Sequence, residues 1–137
     1  MTYPTKPSDP TLGVQHWREE DVAHLRFNRP SSQNAIDRPM ASAFLRACTD
    51  ISRDTAVRVV LLSDEGRAFM AGGDLVEMRS DPIGAAEELI AGMHDGIRLL
   101  ARMAAPVVAQ VHGAVAGGGL GLALACDIVV ASEDTWA

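Results

Sequence analysis

The chain has 137 residues, 47% of them hydrophobic, which is enough to bury one globular core. Its 18 acidic residues outnumber 12 basic ones and give a formal charge of −6, which excludes a general nucleic-acid binder because such a protein needs a basic face. No stretch of the sequence reaches the roughly eighteen uncharged apolar residues that a membrane span requires.

Residues 1–13 are predicted to form a flexible tail. Prolines at positions 4, 7 and 10, with no apolar stretch among them, are not typical of a signal peptide. Cys48 and Cys126 do not have the spacing of a metal site, and two scattered thiols are typical of proteins in a reducing compartment. We therefore expect a cytoplasmic protein with no metal ion.

Strands and helices alternate along residues 14–137. Hydrophobic periodicity and turn residues predict strands over 14–17, 22–27, 57–62, 107–111 and 128–130, and helices over 38–51, 74–79, 83–103 and 118–125. The last three strands are uniformly apolar, which is typical of parallel strands covered on both faces. This order predicts an α/β fold. Because the sequence stops just after a predicted buried strand, we expect the fold to continue beyond Ala137.

Two glycine-rich turns each follow an apolar run and precede a predicted helix. The first contains Gly72-Gly73 and the second contains Gly117-Gly118-Gly119. The first N–H groups of a helix have no partner within the helix and lie at the positive end of its dipole. Two such turns directed at one point can hold an oxyanion without any special side chain. The pair of turns therefore predicts an anion-stabilising site.

A nucleotide-binding loop is the alternative interpretation of the second turn. No G-x-G-x-x-G/A register fits, because Gly117 and Gly119 lead to Leu122, and Gly119 and Gly121 lead to Leu124. The Gly-Lys-Ser/Thr sequence of a phosphate-binding loop is also missing from the sequence. These spacings disfavour a dinucleotide-dependent enzyme.

In an ordered set of segments the sequence resembles the enoyl-CoA hydratase/isomerase, or crotonase, superfamily. The matching segments are Phe27-Asn28-Arg29-Pro30, Asn34-Ala35-Ile36, Arg58-Val59-Val60-Leu61, Ala68-Phe69-Met70-Ala71-Gly72-Gly73-Asp74-Leu75, residues 112–120 and Ala125-Cys126-Asp127-Ile128. Each glycine turn alone is a weak signal, but the order and spacing agree over residues 14–137.

The resemblance implies the N-terminal part of a spiral of ββα units, in a protein that assembles as a homotrimer or hexamer. Family members bind acyl-CoA thioesters and stabilise a thioester enolate with two backbone N–H groups. By position, those donors are Gly73 and Gly118. The residues that the resemblance places beside the substrate are Asn34, Ala35, Ile36, Ala71, Asp74 and Leu75. It implies no cofactor other than the coenzyme A of the substrate, and no nucleic-acid or membrane partner.

One position departs from the pattern of the family's hydratases. Their first catalytic glutamate falls three residues after the second oxyanion glycine, where this chain has Gly121. Their second glutamate falls beyond Ala137. Three hypotheses stay open: an enoyl-CoA hydratase/isomerase, an isomerase that uses one carboxylate beyond residue 137, and a non-catalytic acyl-CoA-binding remnant.

Several residues near the predicted site also have ordinary structural explanations. Asp74 is expected to cap a helix, and His112 to be a hydrogen-bonded structural histidine. Gly121 is expected to pack against the sheet together with Ala123 and Ala125. The stripe Ala86, Ile90, Met93, Ile97 and Leu100 is expected to be core, and Met70, Met78 and Met93 are candidates for acyl-chain contact because methionine adapts to varied shapes.

Overall fold

A computed structural model describes residues 13–137. The predicted tail therefore lies outside the described residues except for Gly13, whose carbonyl accepts a hydrogen bond of 2.8 Å from the Asn28 N–H. The elements are β1 (Val14–Glu19), β2 (Val22–Phe27), α1 (Arg38–Arg53), β3 (Val59–Asp64), α2 (Leu75–Ser80), α3 (Pro82–Arg102), β4 (Val107–Val111), α4 (Gly118–Ala125) and β5 (Ile128–Ala131). In this part of the chain, no helix combines the length and the apolarity needed to cross a membrane.

The strands form one five-stranded sheet in the order β1-β2-β3-β4-β5. β1 and β2 are an antiparallel hairpin, with Val14 opposite Phe27. The pairs β2–β3, β3–β4 and β4–β5 are parallel. Parallel neighbours need crossover connections, which the helices between them provide. The predicted α/β class is confirmed.

The segments that leave the strands pair with one another in a second parallel row. Its isolated bridges join Ile36 to Gly73, Met70 to Val115, and Ala114 to Trp136. Each structural repeat therefore consists of a strand in the sheet and an extended segment in this second row. In most repeats a helix follows. That repetition is the predicted spiral of ββα units.

The core lies between the sheet and the packed pair α1 and α3. Glycines on α3 allow this approach, since a Cβ on Gly96 would lie 2.4 Å from the Phe44 ring and one on Gly92 would lie 3.1 Å from the Ala41 carbonyl oxygen. Because α3 contacts α1 closely at these glycines, one face of α3 is buried. This face consists of Ala85, Leu89, Gly92, Met93, Gly96 and Leu100. The predicted core stripe is therefore wrong at Ile90, which is 54% exposed.

The strand β5 differs from its prediction. All four of its residues are exposed, although the apolar sequence predicted a strand buried on both faces. Within the described residues, β5 pairs only with β4 and forms the edge of the sheet. An apolar run alone does not distinguish a central strand from an edge strand, because burial depends on what packs against it.

Candidate active site

The two glycine turns lie side by side at the start of two helices. Gly72 and Gly117 both have positive φ, at 115° and 53°, and a Cβ on Gly117 would lie 3.5 Å from the Gly72 Cα. Hydrogen bonds fix this approach, among them one of 3.1 Å from the Ala116 N–H to the Met70 carbonyl. The glycines that follow, Gly73 and Gly118, line one shared cavity.

The N–H groups of these two following glycines have no acceptor within residues 13–137. Gly118 is the first residue of α4, where a helix leaves its N–H groups without internal partners. Gly73 takes part in the second row through its neighbours, because the Gly72 carbonyl accepts from Ile36 and the Asp74 N–H donates back to Ile36, both at 2.8 Å. Two unpaired amides therefore belong to the wall of one cavity.

The shared cavity has a volume of about 240 Å³ and is mainly apolar. It is lined by Ile36, Gly73, Met78, Leu89, Ile90, Met93, His94, Ile97, Gly118 and Gly121. Of the candidate methionines, Met78 and Met93 are in this lining, whereas Met70 is fully buried elsewhere in the core. The predicted packing of Gly121 is wrong: a Cβ there would meet no atom within 4 Å, because this face of α4 borders the open cavity.

A second groove of about 510 Å³ adjoins the first and shares Gly73 and Met78 with it. It is lined by Ser32, Ala35, Ala71, Gly72, Gly73, Asp74, Leu75, Val76, Met78 and Gly117. Five of the residues predicted to lie beside the substrate are thus at the two adjoining hollows: Ile36 at the first, and Ala35, Ala71, Asp74 and Leu75 at the second. Their contact with a ligand stays a prediction.

Asn34, the sixth such residue, is fully buried and lines neither hollow. Its side-chain amide donates to the Glu65 and Ala68 carbonyls, each at 2.8 Å, and its side-chain oxygen accepts from the Arg29 N–H at 2.7 Å. The side chain therefore holds adjacent loops together. Any contact of its backbone with a substrate stays a prediction.

Arg29 was not singled out from the sequence, yet it connects the loops around the groove. Its Nη1 donates to the Asp74 carboxylate at 2.7 Å and to the Ala35 carbonyl at 2.8 Å. Asp74 caps α2 as expected, accepting from the Val76 and Glu77 N–H groups. The hydrogen bond from Arg29 is the main reason that the pKa of Asp74 is lowered. Arg29 matches the family motif, but its partner is distant in sequence and no local pattern indicates it.

Asp64, the last residue of β3, and His112, the residue after β4, form a polar pair. The Asp64 side chain is only 1% exposed, and its Oδ2 lies 3.2 Å from His112 Nε2, which also contacts the Gly66 carbonyl. His112 is thus partnered, as its structural interpretation predicted. Burial raises the pKa of the Asp64 carboxyl to about 7, with a smaller contribution from Glu65, while His112 opposes the shift.

We expect the contribution of Asp64 to the unfolding free energy to fall as the pH rises from about 4 to 7. Between the unfolded pKa of Asp64 near 3.8 and the folded value of about 7, the folded chain holds a proton that the unfolded chain has released. The contribution of Asp64 to stability is therefore complete below a pH of about 3.8, and it is lost as the pH rises through about 7. Urea unfolding at several pH values measures this dependence.

Asp64→Asn is the matched variant, because asparagine has the shape of the carboxyl but does not titrate. Its unfolding free energy is expected to depend less on pH than that of the wild type, and to exceed the wild-type value above pH 7. Parallel pH profiles for the two proteins would contradict the assignment of this titration to Asp64.

Comparison with known proteins agrees with this arrangement. The family model for enoyl-CoA hydratase/isomerase matches residues 18–136. The fold is also that of solved crotonase structures: the enoyl-CoA hydratase from Mycobacterium smegmatis superposes with a TM-score of 0.84 at 38% identity, over 90% of this chain and 49% of that one. The chain belongs to the enoyl-CoA hydratase/isomerase family.

Its curated relatives carry the names of different reactions. A 4-chlorobenzoyl coenzyme A dehalogenase from Arthrobacter is 36% identical over 92% of this chain and 46% of its own length. A human mitochondrial Delta(3,5)-Delta(2,4)-dienoyl-CoA isomerase is 33% identical over 86% of this chain and 39% of its own length. The chain thus spans less than half the length of these relatives.

Proposed function

We propose that the protein processes acyl-CoA thioesters by stabilising a thioester enolate with the N–H groups of Gly73 and Gly118. The observation that supports this most directly is that both amides are unpaired within the described residues and line one cavity. The names of the relatives, a dehalogenase and an isomerase of coenzyme A thioesters, support the same substrate class.

The physical reason is the movement of charge during the reaction. When a proton leaves the carbon next to a thioester carbonyl, negative charge develops on the carbonyl oxygen. Preorganised N–H donors in an apolar cavity bind this oxyanion more strongly than the neutral carbonyl, and they lower the barrier accordingly. Glycine at both positions lets a ligand approach the backbone closely because no Cβ intervenes.

The adjoining groove is the proposed place for the coenzyme A portion of the substrate. The groove and the cavity share Gly73 and Met78 in their linings, and in this proposal a thioester at the amides has its two ends in these two hollows. In this proposal the apolar cavity takes the acyl group, and Met78 and Met93 contact it. The homotrimer or hexamer and the cytoplasmic location stay predictions.

Among the reactions of the family, we propose isomerisation ahead of hydration. Hydration by two carboxylates needs one at the position of Gly121, and glycine cannot transfer a proton. Isomerisation requires only one group that removes a proton from one carbon and returns it to another. Non-catalytic binding of acyl-CoA is the second candidate, favoured by the same glycine.

Two parallel measurements test the proposal: binding of an acyl-CoA and exchange of substrate protons for deuterium. The protein is titrated with hexanoyl-CoA, and then incubated with 3-hexenoyl-CoA in heavy water while mass spectrometry follows deuterium uptake and the double-bond position. Binding together with uptake and conversion supports an enolate-forming isomerase. Binding with no uptake supports the non-catalytic candidate, and absence of binding contradicts the proposed substrate class.

A further inference from the structure

The cavity wall contains a titratable side chain that the oxyanion mechanism leaves unused. Of the ten residues in its lining, all from the described part of the chain, His94 is the single one whose side chain is of an acid–base type. His94 lies on α3. Gly118 is the first residue of α4, and Gly73 belongs to the first glycine turn. The cavity thus brings a possible proton carrier together with two unpaired amides.

The position of His94 follows from the periodicity of α3. Ile90, Met93, His94 and Ile97 recur at the spacings that place residues on one face of a helix, and all four line the cavity. The opposite face of α3 packs on α1 through Gly92 and Gly96, which fixes the rotation of the helix. His94 is itself exposed, so a proton on its ring can exchange with solvent.

The cavity has open space beside Gly121, which belongs to the same lining as His94 and the two amides. Gly121 lines the same cavity one turn after Gly118, and a Cβ added to it would meet nothing within 4 Å. No side chain of α4 therefore occupies the space where a proton-transferring carboxylate would stand in a hydratase of the family. The remaining lining side chains are isoleucine, leucine and methionine, which cannot exchange protons.

We propose that His94 is the catalytic residue that moves the proton in this cavity, an inference that rests on the enolate chemistry proposed above. A neutral ring nitrogen takes the proton from the carbon next to the thioester carbonyl. The electron pair of that C–H bond forms the enolate double bond, and the carbonyl π pair moves onto the oxygen held by Gly73 and Gly118. For a 3-enoyl thioester, the imidazolium then returns the proton to the γ-carbon, which shifts the double bond and regenerates neutral His94 without any oxidant or reductant.

The test compares His94→Gln with Asp95→Asn. Glutamine keeps a polar side chain of similar length but does not carry a proton at neutral pH, and Asp95 is an exposed neighbour on α3 that is outside the cavity lining. We expect His94→Gln to slow deuterium uptake by 3-hexenoyl-CoA by about 100-fold or more, the usual contribution of a positioned acid–base group. Asp95→Asn is expected to keep the wild-type rate, and both variants are expected to bind hexanoyl-CoA as the wild type does.

The outcomes separate this inference from the proposed function. Uptake by His94→Gln at the wild-type rate overturns the role of His94 and leaves the enolate mechanism standing. Wild-type protein that binds hexanoyl-CoA but exchanges no proton overturns both. A second measurement does not depend on turnover: hexanoyl-CoA added to protein with ¹⁵N-labelled histidine should shift the ring signals of His94, assigned by their loss in His94→Gln. Unchanged ring signals at saturating ligand would contradict a place for His94 beside the acyl group.

Discussion

Gly118→Pro is expected to slow deuterium uptake by about 10²–10³-fold, the usual cost of removing one oxyanion donor. Proline has no N–H, so the substitution removes the amide that the proposed mechanism requires. Gly118 is the first residue of α4, a position that favours proline in helices, and the preceding Gly117 has no Cβ to meet the ring. The helix is therefore expected to form, and the loss should appear in the exchange rate.

Gly118→Ala is the control for this variant. Alanine keeps the N–H, and its Cβ would lie 3.7 Å from the Ile36 Cδ1, an ordinary contact distance. We expect it to keep more exchange activity than the proline variant, because the added Cβ hinders only the close approach of the ligand and the N–H donor remains. Thermal melting of both variants verifies folding. If the folded proline variant exchanged protons as fast as the alanine variant, Gly118 would not be an oxyanion donor.

Gly113→Ala is expected to lower the unfolding free energy by about 2–5 kcal/mol. Gly113 has a φ of +62°, where a side chain is strained, and an added Cβ would lie 1.8 Å from the Arg67 carbonyl oxygen. That oxygen belongs to backbone, so the segment leading to the first glycine turn would have to move. The Phe69 N–H donates to the His112 carbonyl at 2.9 Å beside this contact, and that hydrogen bond would be disturbed. Urea unfolding measures the loss.

Gly121→Ala provides a matched comparison, because it is the same chemical change at an open position. Within α4, alanine is favoured over glycine by about 0.8–1.0 kcal/mol, and its Cβ would meet nothing within 4 Å. We expect a small gain in stability. Equal effects at Gly113 and Gly121 would contradict the close backbone contact at Gly113.

Local patterns in the sequence predicted most of the elements. Alternating and apolar runs located all five strands, and residues such as Asp74 and Pro106 marked where helices begin or cannot continue. The glycine turns were recognisable because their backbone conformations depend on local residue type. Gly72 and Gly117 do have positive φ.

Contacts between distant segments were not predictable in the same way. The Arg29–Asp74 ion pair and the Asp64–His112 pair each join residues that are far apart in the sequence and that only folding brings together. The exposure of Ile90 has a similar origin, since the close contact of α1 with Gly92 and Gly96 of α3 sets the rotation of α3. His94 was not singled out from the sequence, because its place in the cavity depends on that rotation.

The second row of paired segments has a consequence for how such a fold diversifies. Its hydrogen bonds join peptide groups, such as Ala116 to Met70 and Asp74 to Ile36, and a peptide group is the same whichever amino acid carries it. Under the proposed mechanism, backbone N–H groups bind the oxyanion. Side chains of the surrounding helices can therefore be substituted without removing these donors. New reactions can then evolve by substitution around an unchanged scaffold, which fits a family whose members are named as dehalogenases, isomerases and hydratases.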